Sequence, residues 1–205
     1  MSKIKLTKGE LKRQRDNLKQ FQHYLPTLQL KKQQLQTKIL EIKRILDEKE
    51  ETLQSLKNRM LVWIGLLGDP FIDISQWIIP KDIVTEKFNI AGVDIPILLD
   101  VLYEEASYDF YATPFWIDQG IDDFKVYFTA LSEIEVIKKQ IAILNYELKI
   151  TTQRVNLFEK VKIPECLENI RLIRIYLGDQ MANAVGISKV AKRKIEVSSY
   201  CGAST

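Results

Sequence analysis

The residues that most often perform chemistry are sparse in this chain and do not fall into working sets. Its one histidine, His23, adjoins Tyr24 in a helical stretch. General-base work needs a reacting proton within hydrogen-bond reach, and nothing around His23 supplies one, so a solvated or packing role is expected. Cys166 and Cys201 stand 35 residues apart, and no Cys/His cluster has metal-ligand spacing. They read as free thiols of a cytosolic protein. Gly65-Leu66-Leu67-Gly68 is followed by Asp69, where a phosphate-binding loop requires Lys-Ser or Lys-Thr. Between Leu67 and Phe124 there are twelve acids against Lys81 and Lys87, a balance of −10. Their spacing matches no calcium loop, so they are expected to face a partner or solvent. Lys192-Arg193-Lys194 has no interleaved aromatics; solvated charge or an acidic protein partner suits it better than nucleic acid. No catalytic, cofactor-binding or metal-binding residue is expected, and no cofactor.

What the sequence specifies strongly is long elements. From Leu11, every seventh position reads Leu11, Leu18, Leu25, Lys32, Ile39, Leu46, Leu53, Met60, and three places on the series is Gln14, Phe21, Leu28, Leu35, Ile42, Lys49, Leu56, Trp63. Thirteen of these sixteen slots are apolar, which is a coiled-coil seam. A helix from Lys8 to Leu66 would be roughly 90 Å long at the α-helical rise. Thr7 and Glu10 have the spacing of a capping box at its start. Pro26 removes one backbone hydrogen bond and should bend the helix near Gln22 without ending it. Gly65, Gly68 and Asp69-Pro70 should end it.

The middle is broken by Pro70, Pro80, Pro96 and Pro114 and carries most of the aromatics. Ile83 to Ile90 has strand composition, Ala91-Gly92 reads as a turn, and Val93-Asp94-Ile95 returns, which predicts a β-hairpin. Leu98 to Glu105 suits a continued strand or a short helix. Tyr108, Phe110, Tyr111, Phe115 and Trp116 are expected to form the core of a small insertion, with a protein-binding patch as the alternative. A second heptad begins near Asp122, with Asp122-Asp123 favouring its N-terminus. Ile134, Ile141, Leu148 and Val155 form one series, and Ile137, Leu144, Thr151 and Phe158 the other. Pro164 should interrupt it. An apolar stripe through Leu167, Ile170, Leu177, Ala184 and Ala191 then resumes with drift.

Each heptad segment must bury its stripe, and the nearest partner is the other segment. The fold class expected is mainly α: a long antiparallel two-helix coiled coil with a small α+β insertion containing a β-hairpin. The domains expected are an N-terminal helix at 1–66, the insertion at 67–124, and a C-terminal helix at 125–205 with a kink near Pro164 and a flexible end. Parallel homodimerisation is the competing use of the seam. The pairing would bring both basic ends to one tip, opposite the acidic insertion. The start Met1 to Glu10 has no apolar signal core, and the run Met60 to Leu67 falls far short of the roughly 20 residues that span a bilayer.

Thr151 to Pro164, TTQRVNLFEKVKIP, resembles the signature of the D-subunit family of V-type (V/A-type) ATP synthases. Arg154, Val155, Asn156, Glu159, Ile163 and Pro164 match it, while Leu157-Phe158 replaces Ala-Leu. Asn89 to Pro96, NIAGVDIP, is similar to the family's hairpin motif, and LTKGELKRQRDNLK to its first helix. Two places depart: Gly178 to Asn183 stands where the family carries a Glu/Arg-rich run, and Pro26 where it prefers a helix former. The resemblance implies a non-catalytic central rotor shaft that couples ATP synthesis or hydrolysis to ion transport, including hydrogen ion transport. The partners it implies are the catalytic hexamer, the small F subunit and a ring-docking subunit. It implies no nucleic acid, no direct membrane insertion and no small-molecule substrate. The place it implies is cytoplasmic, on the periphery of a membrane-bound complex. The alternatives are a prefoldin-like coiled-coil chaperone, which would bind unfolded proteins, another coiled-coil interaction module, and a nucleic-acid-binding coil, whose affinity would fall steeply with salt.

Overall fold

The computed structural model describes residues 4–65, 75–105 and 114–202, apart from the side chains of 75, 76 and 196–202. The chain is mainly helical. Helix α1 spans Lys8–Leu61, α2 is the single turn Ser75–Ile78, strands β1 (Asp82–Ile90) and β2 (Val93–Leu102) form an antiparallel hairpin, and α3 spans Ile117–Leu157. A π-helical turn, Phe158–Lys162, leads into α4, Ile163–Gly202. Two compact units result: residues 1–29 with 152–205, and residues 30–151.

Helix α1 begins where its cap predicts. The Glu10 backbone N–H donates to Thr7 Oγ1 at 3.3 Å, which satisfies one of the unpaired amides of the first turn. The reciprocal half of the box does not form, because the Glu10 carboxylate accepts from Gln14 Nε2 at 2.8 Å. The helix runs through Pro26. It stops at Leu61, ahead of Gly65. Trp63 N–H donates to the Met60 carbonyl at 3.1 Å in a tightened last turn, and the Trp63 ring turns edge-on to Phe124, 5.6 Å between centroids. All sixteen positions of the seam, fifteen in α1 and Trp63 just past its end, are buried or half-buried, so the apolar register is the packed face.

In the unit of residues 30–151, α1 and α3 pair antiparallel, and the hairpin lies against both. Leu35, Ile39 and Ile42 of α1, Leu144 of α3 and Ile95 of β2 make one core. Four ion pairs cross between the helices: Lys31–Glu147 at 3.3 Å, Lys49–Glu133 at 2.6 Å, Glu50–Lys138 at 2.8 Å and Arg59–Asp123 at 3.1 Å. Lys49, a polar residue in the seam, is thereby paired.

The hairpin's turn places Ala91 at φ 53° and Gly92 at φ 75°. Two successive positive φ values suit the right-handed twist of the strands, and for alanine the left-handed region costs about 1 kcal/mol. Asn89 holds it there: its Oδ1 accepts from Gly92 N–H at 3.0 Å and its Nδ2 donates to Asp94 at 2.6 Å. The register breaks between Val84 and Thr85, where Leu99 is the extra residue on β2. The bulge shifts the alternation of β2 by one residue, so that its buried Ile95 and Val101 lie across from Phe88 and Ile83, residues of opposite parity on β1. Pro96 cannot donate to the ladder, and its carbonyl accepts from Gln140 Nε2 of α3 at 2.6 Å. Of the two structures open to Leu98–Glu105, the strand forms as far as Leu102.

Helix α3 starts five residues before Asp122. Pro114-Phe115-Trp116 form its entry turn, with Ile117 N–H on the Pro114 carbonyl at 3.1 Å. Asp118 therefore occupies the first turn, and Asp123 meets Arg59 of α1 instead of the helix dipole. Gly120 packs closely, since a Cβ there would touch the rings of Trp63 and Trp116 at 3.4 Å, the near edge of ordinary van der Waals contact.

Candidate functional site

The signature segment Thr151 to Pro164 crosses from α3 through the π turn into α4. The helical series continues through Pro164, which does not interrupt it. Proline has no N–H and its ring crowds the carbonyl four residues back. The wider turn absorbs that conflict: Ile163 N–H bonds to the Phe158 carbonyl, an i→i−5 pairing. The turn also takes up one residue. Continued at strict sevens, the α3 series would next present Lys162, Glu165, Asn169 and Leu172, of which only Asn169 is buried. Shifted by one, it presents Ile163, Cys166, Ile170 and Ile173, and the last three are at most 6% exposed. The drift of the stripe after Pro164 is this single added residue. A skip of one in an otherwise strict apolar series was the available sequence signal.

Of the signature residues, Val155 is buried, Ile163 is half-buried, and Arg154, Asn156 and Glu159 point outward. Phe158 meets Phe21 of α1, 5.1 Å between ring centroids. The segment thus sets helix phase on one face and displays polar groups on the other.

The residues weighed for chemistry stay apart. His23 is exposed, with its ring edge-on to Tyr24 at 5.6 Å. Cys166 is a free buried thiol, and burial, aided by the adjacent Glu165 carboxylate, pushes its pKa up, away from the reactive thiolate. The side chain of Cys201 lies outside the described residues. Four of the middle acids serve local ends: Asp82 and Asp100 each accept from the next residue's backbone N–H at 2.8 Å, Asp94 holds Asn89, and Glu104 pairs with Lys81. Among the described residues, no group of three His, Cys, Asp or Glu side chains is placed to hold a metal ion. No helix among them is long and apolar enough to cross a membrane.

The aromatic cluster expected as an insertion core is only partly as anticipated. Trp116 packs beside Trp63 at 6.4 Å. Phe115, at the solvent side of the entry turn, is fully exposed. Tyr108, Phe110 and Tyr111 lie outside the described residues. A feature missed from sequence is the end of α4, where every residue from Gly178 to Ile195 is exposed. Met181, Val185, Ile187, Val190 and Ile195 are all more than half exposed, and Lys192-Arg193-Lys194 follows the same bare stretch. Gly178 and Gly186 do not break the helix.

A model of the family described as the D subunit of ATP synthase matches residues 10–193. The chain is 48% identical over 195 residues to the V-type ATP synthase D subunit of Borreliella burgdorferi, covering 95% of this chain and 96% of that one. The chain belongs to the ATP synthase D-subunit family. Its V-type ATP synthase D-subunit relative from Chlamydia trachomatis is 34% identical over 197 residues, with 95% and 97% coverage. That of Chlamydia pneumoniae is 33% identical over 196 residues, with 95% and 94% coverage. The matches run through both heptad segments and the hairpin between them, so the family's pattern is that of the whole fold. In this chain the stretch TTQRVNLFEKVKIP carries the π turn and re-phases the seam.

Proposed function

We propose that this chain is the central rotor shaft of a V/A-type ATP synthase or ATPase, carrying torque between a catalytic hexamer and a membrane ring. In this reading it has no catalytic site of its own. Its partners are the catalytic subunits, a small F subunit and a ring-docking subunit, and its place is the cytoplasmic periphery of the membrane-bound complex. The observation that carries the reading is a continuous shielded seam along a 54-residue helix, in a chain of the D-subunit family. Torque needs a stiff element with an asymmetric surface, and it needs no reacting group. Contact of that surface with one catalytic interface at a time would shift each between states by differential binding.

The parts then divide their work. The helices of 1–66 and 125–205 form the shaft, and the acidic insertion, 67–124, faces the ring. The basic ends face the catalytic head. The test is co-purification of the tagged full chain with ATPase catalytic subunits and a small shaft partner. Recovery of that set is the expected result; recovery of unfolded clients alone would return the chain to the chaperone reading. Cross-links from 67–124 into the hexamer bore would reverse the polarity.

A further inference from the structure

The two flanks of the helix pair in the unit of residues 1–29 and 152–205 differ in charge. One flank mixes signs and neutralises itself. Arg13 lies 3.9 Å from Glu10, and Lys162 lies 3.1 Å from Glu165. The other flank is an open trough of about 480 Å³ between α1 and α4. Its floor is apolar, built on Leu18 and the buried Ile170, with Leu167 and Ile175 each half exposed at its edges. Arg15, Lys19, Arg171 and Arg174 rim it, and no carboxylate lines it. Only Arg171 is neutralised, by two bonds to Glu168 at 2.8 and 2.9 Å that hold that carboxyl below its usual range. Among the described residues, Arg15, Lys19 and Arg174 have no carboxylate within 4.0 Å.

Such an arrangement opposes the stability of the isolated pair. Arg15 and Lys19 are four apart on one helix face, and like charges at this spacing repel. The unit as a whole carries sixteen bases against seven acids, whereas residues 30–151 carry fourteen against twenty. An apolar floor between two helices, rimmed by unmatched cations, is complementary to one kind of occupant. We propose that this trough seats an acidic amphipathic helix of a partner protein as a third strand, its apolar stripe on Leu18, Leu167 and Ile175 and its flanking carboxylates on Arg15, Lys19 and Arg174. Helix walls offer ridges at i, i+3 and i+4 that a third helix can interleave with. The rim then governs specificity and the rate of encounter. This inference stands whether or not the chain is a shaft.

The test uses the full chain and a fluorescein-labelled three-heptad peptide with leucine at its two core positions and glutamate at the flanking positions. A second peptide carries lysine in place of glutamate. At low salt the glutamate peptide is expected to bind at least about tenfold more tightly, with the advantage shrinking as ionic strength rises. R15E/K19E/R174E should invert the preference, and R15Q/K19Q/R174Q, which adds no charge to disturb folding, should erase it. K192E/R193E/K194E should leave it intact. Equal binding of the two peptides, an unchanged preference in the glutamine variant, or loss of the preference in the 192–194 variant would overturn the proposal. So would a stronger, rim-dependent capture by phosphatidylserine vesicles or by a 20-base-pair DNA duplex.

Discussion

The two units solve the same packing problem with different means. In residues 30–151 the helix pair is braced across its seam by four ion pairs, and the hairpin adds a third packed element on Ile95. In residues 1–29 with 152–205, the described ion pairs all join residues three apart in sequence, and no strand joins the core. The first unit uses its charges internally and fixes helix against helix. The second leaves its cations outward and relies on apolar seam contacts, Phe21 on Phe158 and the Cys166–Ile170–Ile173 stripe. Parts that use their polar groups on each other are fixed by themselves; parts that do not are made to meet something else.

The largest expected difference concerns chain length. Deleting exposed Lys139 from α3 rotates the residues that follow by about 100° on the helix, moving Leu144, Leu148 and Thr151 off the seam. Several buried side chains leave their core together, so a loss above about 4 kcal/mol is expected. Deleting Val161 from the π turn, combined with Pro164→Ala, should do the opposite. The turn becomes regular α-helix, and Ile163, Cys166, Ile170 and Ile173 stay on the seam because the added residue was what the π geometry absorbed. Stability should change by less than about 1 kcal/mol. Urea titrations followed by circular dichroism measure both. Equal damage from the two deletions would show that the π turn does not set phase.

Next in size is the effect of truncating the two fully buried seam residues, Leu144 and Ile173, each 0% exposed. Leu144 is enclosed by α1, α3 and the hairpin, so Leu144→Ala leaves a cavity that three elements hold open; about 3–4 kcal/mol is expected. Ile173 is flanked by helices alone, which can close over the gap, and Ile173→Ala should cost nearer ~2 kcal/mol. The same denaturation midpoints decide it, and a costlier Ile173→Ala would break the contrast.

The helices and hairpin were legible because their signals are repetitive. Sixteen heptad slots outweigh one proline, and a turn of Ala-Gly between β-branched runs has few other uses. Capping was half legible: Thr7 acts as expected, while Glu10 had a nearer donor in Gln14 that a motif does not foresee. The start of α3 was misplaced because Pro114-Phe115-Trp116 reads as irregular chain until Trp116 is seen against Trp63. The π turn was hidden for a different reason. Proline at position 164 reads as a break, so the skip of one in the apolar series passes for drift until the burial of Cys166 and Ile173 shows that the helix took in an extra residue to carry on. As for sites, the unpaired rim of Arg15, Lys19 and Arg174 depends on which cations find carboxylates, and that is settled by the pairing of helices far apart in sequence.

The smallest effect is expected from the braces themselves. Lys49 and Glu133 are 2.6 Å apart, yet their side chains remain 42% and 34% exposed, so solvent screens the pair and its loss should cost only about 0.5–1 kcal/mol. Lys49→Glu places a second carboxylate beside Glu133 and should lower the midpoint of unfolding slightly. Adding Glu133→Lys restores opposite signs in reversed order and should recover most of the loss, with the coupling read from the double-mutant cycle. High salt should shrink that coupling. The same charge reversal on Arg15, which has no carboxylate near it among the described residues, should not destabilise at all and should relieve its repulsion with Lys19. If Arg15→Glu and Lys49→Glu were equally damaging, the outward cations would be structural after all, and the distinction between a unit that pairs its charges and a unit that presents them would not hold.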